Sequence, residues 1–362
     1  MSSASWSLFL CSARRAYSGG SVMHDRLDIS MRANHVFFGI LVIVALVFAA
    51  FACFSGDVFY LRLATEALIL GGLALSIDIL LGFTGLLSLG QALYFGIGAY
   101  VSALVLREEP SFWLAMGAAG VSVLLAGIAG GLIANRVRGV YFALITFGMA
   151  QVVAKVVYNS RELGASDGLI GIPVIEIPLG LITLSAGDPL GFFLLALVII
   201  ALLYSVSAYL LGTPFGRIII ALKANEKRVP YLGYSTWAAR MAAYVLAAVI
   251  AGLAGALYPM LRGFVSPELL FFATSGDALI MVIVGGAGTL AGAIWGAVIL
   301  TMLKSVIGSW TEHHLIVIGL IFMSAILFMP KGIVGMLKPF VERNLLRNSA
   351  RQPKPEVERT AL

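Results

Sequence analysis

Charge is what this sequence has least of. Only 12% of its 362 residues are Asp, Glu, Lys or Arg, against about 25% in an ordinary soluble domain. Mean hydropathy is +1.00, so a soluble fold is excluded. Cysteine is nearly absent as well: Cys11 and Cys53 support neither a disulfide framework nor a metal site. Short alternating segments are missing, which excludes a membrane β-barrel. No G-x-x-x-x-G-K-[ST] loop occurs, so the chain cannot hydrolyse ATP through that motif. Histidine is scarce, and the adjacent pair His313–His314 beside Glu312 makes no site, because neighbours along a helix do not face one another.

What is present is a series of long apolar blocks, the pattern of an all-α polytopic membrane protein. A crossing needs about 20 apolar residues. The expected spans are Val36–Gly56, Leu63–Leu81, Thr84–Leu106, Phe112–Ala134, Val140–Tyr158, Leu190–Leu211 and Met241–Leu261. Leu269–Val306 is too long for one helix. Gly285, Gly286 and Gly288 divide it into Phe271–Val284 and Thr289–Ile307, and His313–Met329 closes the set before Pro330. Gly82 and Gly85 mark a second break, between the second and third spans.

Basic turns sort the ends. Arg136 and Arg138, and the loop holding Arg217, Lys223, Lys227 and Arg228, face the cytoplasm by the positive-inside rule, while Glu108 and Glu109 face outward. About ten crossings return the basic tail to the side on which the chain began, whereas an undivided Leu269–Val306 would put it outside. Residues 1–35 are expected to be a disordered cytoplasmic tail, 36–335 the transmembrane domain with a cytoplasmic segment at 213–236, and 336–362 a cytoplasmic tail. Met23 and Met31 are alternative starts to Met1. The net charge of +6 follows topology, with no nucleic-acid partner implied.

Small residues repeat every four positions at Gly288, Gly292 and Gly296, at Gly127 and Gly131, and at Ala251 and Gly255, so each set is expected to share a helix face for close packing. Among the intramembrane charges, Asp78 is expected to cap the turn after it or pair locally. Asp277 either braces the Gly285–Gly288 break or lines a pathway. Glu66 and Lys155 are expected to reach the membrane interface.

Three blocks carry a resemblance. The first runs from Asp78 through Gly82-Phe83-Thr84-Gly85 and Ser88 to Gln91, then on to Tyr100. The second is Arg138–Leu144, with Ser166–Leu169 and Gly171-Ile172-Pro173. The third combines Gly212–Tyr234 with Gly263–Glu268 and Gly285–Leu290. In order and content they resemble the permease subunits of branched-chain amino-acid ABC importers, specifically the M-type partner of a two-permease system, over roughly residues 36 to 335. Gln91 stands where many members carry histidine.

The resemblance implies a type II importer permease fold and no enzymatic activity of the chain's own. It implies a second permease subunit, forming a heterodimer, two cytosolic ATPase subunits that bind ATP and Mg, and a periplasmic binding protein, all at the bacterial inner membrane with both termini cytoplasmic. Gly216–Leu232 would then be the coupling helix. Ala221, Leu222, Ala224 and Asn225 would enter a groove on the ATPase beside Gly216, with Arg217, Lys223, Glu226, Lys227 and Arg228 as a polar rim. Broken helices supply polar backbone in mid-membrane, so Thr84, Ser88, Gln91, Tyr94, Asp277 and Thr289 are the expected pathway residues. No metal or cofactor site is expected in this chain. Importers of urea, short amides or aromatic acids share the likeness, and a gradient-driven secondary transporter is the rival class.

Overall fold

The computed structural model describes residues 33–52, 58–178, 183–185, 187–310, 314–329 and 331–349. Most of the expected N-terminal tail, both cysteines, His313, Pro330 and the end of the C-terminal tail lie outside the described residues. Thirteen helices follow in order among those described: α1 (Ala33–Ala52), then α2 (Val58–Asp78), α3 (Gln91–Glu108), α4 (Phe112–Ala134), α5 (Val140–Asn159), α6 (Pro189–Gly212), α7 (Pro214–Asn225), α8 (Thr236–Ala256), α9 (Tyr258–Arg262), α10 (Phe272–Gly285), α11 (Ala291–Trp310), α12 (His314–Phe328) and α13 (Ile333–Ser349). Seven of the described helices are long and apolar enough to cross a bilayer, and α10 is a shorter apolar helix. The chain is therefore a helical, multi-pass membrane protein.

Helix α2 is the axis of the fold. Its most apolar window is 89% buried, against 22% for α1 and 28% for α4, and it packs on α6, α8, α10 and α11. A helix apolar all round belongs inside a bundle or in lipid; α2 takes the first course, while α1, α4 and α5 turn much of their surface outward.

The small-residue faces are packing seams. A Cβ on Gly285 of α10 would lie 3.1 Å from the Gly296 nitrogen of α11, and one on Gly127 of α4 would lie 2.9 Å from the Ala248 methyl of α8. Gly288 does not share a helix face with Gly292 and Gly296. It lies in the turn before α11, at φ +83°, because a left-handed residue cannot continue a right-handed helix. Another close seam joins α3 to α8, where a Cβ on Gly98 would approach the Gly252 Cα to 2.8 Å. Gly98→Ala is expected to cost about 1–3 kcal/mol in the thermal unfolding of the purified protein, since backbone cannot yield as a side chain does. Gly148→Ala, with nothing within 4 Å, is expected to stay within about 0.5 kcal/mol of the parent.

Four short strands depart from an all-helical reading. β1 (Leu169–Ile170) pairs antiparallel with β4 (Phe264–Val265), and β2 (Glu176–Pro178) with β3 (Thr183–Ser185). The β1–β4 pair staples the long loop after α5 to the turn after α9. This occurs at the end of the bundle opposite α7.

Candidate functional site: two helix breaks beneath α7

The break after α2 is longer than the sequence suggests. Helix α2 runs on through a π-helical turn, Ile79–Thr84, which closes on Gly85 at φ +75°. The Thr84 hydroxyl donates to the Leu80 carbonyl and accepts the Leu86 N–H at 3.2 Å. Residues 85–90 are non-helical, so α3 begins at Gln91 and not at Thr84. Side chains from other helices satisfy this open stretch. Thr146 Oγ1 of α5 accepts the Leu89 N–H at 3.2 Å, and Ser275 Oγ of α10 accepts the Ala92 N–H at 2.9 Å. A wide turn of this kind frees backbone groups that a regular helix would use internally.

The second break, between α10 and α11, holds three residues of positive φ: Gly286 at +117°, Gly288 at +83° and Leu290 at +48°. Leucine at such a φ is strained and persists only where surrounding contacts fix it. Asp78, fully buried at the end of α2, supplies them. Gly288 N–H donates to its Oδ1 at 2.6 Å and Leu290 N–H to its Oδ2 at 2.8 Å. The carboxylate thereby caps the positive end of α11. Asp78 was expected to act on its own neighbourhood; the structure sets it on the other break instead. Gly82 must be small for the same reason, since a Cβ there would lie 2.7 Å from the Gly288 Cα.

Helix α7 sits over the paired breaks. Lys223 Nζ donates to the Gly82 carbonyl at 2.6 Å, and a Cβ on Gly85 would lie 3.2 Å from the Lys223 Cγ. The α-helix ends at Asn225, whose side chain accepts the Lys227 N–H at 3.1 Å. A 3₁₀ turn then runs from Glu226 to Leu232 and stops at Gly233, φ +81°. Gly216 and Leu222 point inward, Leu222 packing on Val229 and Ala239 with Ala221 alongside. Arg217, Ala224, Asn225, Lys227 and Arg228 remain exposed. Glu226 lies 3.4 Å from both Arg138, before α5, and Arg240 of α8. Arg240 also donates to the Asn135 carbonyl at 3.3 Å. Beside the second break, a Cβ on Gly286 would lie 2.9 Å from the Gly335 nitrogen of α13. Burial pulls the Lys338 ammonium of α13 below the usual lysine range, opposed by Glu342 and Asp78. Residues 336–349 of the expected tail thus continue a helix that begins at Ile333.

The six expected pathway residues do not form one cluster. Ser88 Oγ accepts from Gln91 Nε2 at 3.4 Å, while the buried Gln91 Oε1 has no partner among the described residues. Tyr94 is buried nearby, its hydroxyl 2.9 Å from that of Tyr244. Thr289 donates to the Gly286 carbonyl at 2.6 Å within the second break. Asp277 makes no bond to that break. It takes Lys304 Nζ at 2.6 Å, towards the opposite end of α10. Glu66 likewise pairs with Arg262 at 2.5 Å, and the Lys155 ammonium lies over the Tyr158 and Phe271 rings. Arg138 opens the second resemblance block, whereas Arg240 and Lys338 carry no sequence signal as site residues beyond their positive charge.

The family model described as branched-chain amino acid transport system permease component matches residues 59–326, from α2 through most of α12. The chain belongs to that family. The permease is 29% identical to the high-affinity branched-chain amino acid transport system permease protein LivM of Salmonella typhimurium, over 89% of this chain and 80% of LivM. LivM of Escherichia coli is 28% identical over 93% and 82%. The autoinducer 2 import system permease protein LsrC of Yersinia pseudotuberculosis is 28% identical over 75% of the permease and 72% of LsrC. No solved structure matches the chain.

Proposed function

We propose that this permease is one membrane subunit of an ABC importer that moves branched-chain amino acids across the bacterial inner membrane. The likeness to LivM along 89% of the chain carries this reading. Separate ATPase subunits would bind ATP and Mg, a second permease would complete the pathway, and a periplasmic protein would deliver the substrate. About ten crossings, α1 to α6, α8 and α10 to α12, would leave both termini and α7 in the cytoplasm.

The contacts around α7 supply a mechanism. Its exposed face, from Arg217 to Arg228, would take the ATPase. A push on α7 would reach Gly82 through Lys223, and Asp78 would pass it to Gly288 and Leu290. Both breaks would then respond together to one soluble contact. Thr84, Ser88, Gln91, Tyr94 and Thr289 are the proposed lining on this side, and the unpartnered Gln91 Oε1 supports Gln91 as a substrate or water contact.

Affinity purification of the tagged chain in mild detergent, with mass spectrometry, tests the assembly. Recovery of a second permease and ATPase subunits is expected; recovery of the chain alone, where a known ABC complex survives, would count against it. Lys223→Met is expected to leave that complex intact and to lower leucine uptake per ATP hydrolysed about threefold. Unchanged uptake per ATP would remove Lys223 from the mechanism.

A further inference from the structure

A cleft of about 690 Å³ opens at the end of the bundle away from α7, between the far ends of α2, α9, α10 and α11. Its volume is within the range of small-molecule sites, about 300–1,000 Å³. Its lining mixes charged and apolar side chains. Arg62, Arg262, Lys304, Glu66 and Asp277 are its charged lining. Two of the cations are already held, Arg262 by Glu66 at 2.5 Å and Lys304 by Asp277 at 2.6 Å. Arg62 is exposed and has no ion-pair partner among the described residues. Thr301 also lines the cleft. It is 7% exposed, and its buried hydroxyl has no hydrogen-bond partner among the described residues. Leu63, Leu70, Leu261 and Met281 supply apolar lining.

Ionisable groups at the edge of an apolar bundle are costly and mark sites of function. Two ion pairs alone would lock helices together, but they would not call for a third cation or an unpaired hydroxyl. We propose that the cleft is an entry subsite for a zwitterionic α-amino acid. Its carboxylate goes to Arg62, its ammonium to Asp277 in exchange for Lys304, and its branched side chain to the leucine and methionine lining. This rests on the importer reading above, which makes this end the outer one, and it names where substrate first meets the membrane subunit. Asp277 is thus a pathway residue at the entrance, separate from the breaks beneath α7.

Phosphatidylethanolamine also pairs an ammonium with an anion, so the test must distinguish it from a free amino acid. The full chain, co-expressed with its partner subunits, is placed in nanodiscs of phosphatidylcholine and phosphatidylglycerol. Saturation-transfer NMR is recorded with leucine, with 4-methylpentanoate, which lacks the ammonium, and with isopentylamine, which lacks the carboxylate. Leucine is expected to bind at least tenfold better than either analogue. Arg62→Gln should bring leucine down to the level of isopentylamine, and Asp277→Asn to that of 4-methylpentanoate. A folding defect would not produce such charge-matched losses. Arg62→Lys should restore most of the preference. In ATP-driven uptake, both neutral variants should raise the KM about tenfold with kcat within twofold.

Variants that keep the parent's preferences would overturn the subsite. So would a cleft signal that depends on added phosphatidylethanolamine and not on leucine. If the parent complex takes up no leucine, the importer reading fails, while the NMR preferences still decide the cleft independently.

Discussion

Replacing Asp78 by alanine is expected to lower the melting temperature of the purified complex by roughly 6 °C and to cut leucine uptake at least tenfold. Asp78 is fully buried and accepts two backbone N–H groups from a segment more than 200 residues away. Hydrogen bonds to a charged group are worth about 1.5–3 kcal/mol each, and a buried donor left unmade carries a desolvation penalty of similar size. A net loss of about 3 kcal/mol follows, and in a chain of this size each kcal/mol corresponds to roughly 2 °C. The strain at Leu290, φ +48°, would lose its restraint as well. Asp78→Asn keeps one acceptor but turns an amide NH₂ towards the other N–H, so about half the loss is expected. Thermal unfolding in detergent reads both variants. A Tm for Asp78→Ala equal to the parent's would show that the carboxylate does not hold the breaks together.

Reversing Glu226 to arginine is expected to abolish ATP-coupled uptake. Glu226 stands between Arg138 and Arg240, 3.4 Å from each, and the Arg240 side chain is only 5% exposed. The variant would gather three guanidinium groups where an acid now neutralises two. Removing one partner of a buried pair costs about 3–5 kcal/mol. Glu226 is 28% exposed, so solvent screening reduces this to about 2 kcal/mol. The strain falls on the junction of α7, α8 and the turn before α5, through which motion of α7 must pass. Ala224→Trp provides the contrast. Ala224 lies on the exposed face of α7, so stability should stay within about 0.5 kcal/mol of the parent while the ATPase subunits fail to copurify. Normal uptake by both variants would sink the coupling role of this segment.

Much of the helical scaffold was legible because hydropathy acts locally. Phe112–Ala134 was placed to the residue, and α5, α6 and α10 to within one residue at each end. Length showed that Leu269–Val306 must divide, and the glycines of the Gly285–Gly288 break showed where. What escaped was set by tertiary contact. The true length of the first break depends on Thr146 and Ser275 accepting N–H groups from residues far away in sequence. Nothing near Asp78 announces that its partners are Gly288 and Leu290, and nothing near Lys223 points to the Gly82 carbonyl. Asp277 could not be placed by composition either, because its position between break and entrance depends on Lys304, one helix further on. Within α7, helical order hid which residues face inward: Leu222 was grouped with the docking surface, but it packs on Val229 and Ala239. The β1–β4 pair joins two turns whose sequences carry no strand pattern long enough to read.

Leucine uptake into proteoliposomes holding the complete complex, with the binding protein outside and ATP trapped inside, tests the importer assignment most directly. Leucine is expected to accumulate only with ATP and the binding protein, to go on accumulating when proton and sodium gradients are collapsed, and to stop doing so with Glu226→Arg. Uptake that follows an imposed ion gradient without ATP would contradict the importer assignment and make this chain a secondary transporter.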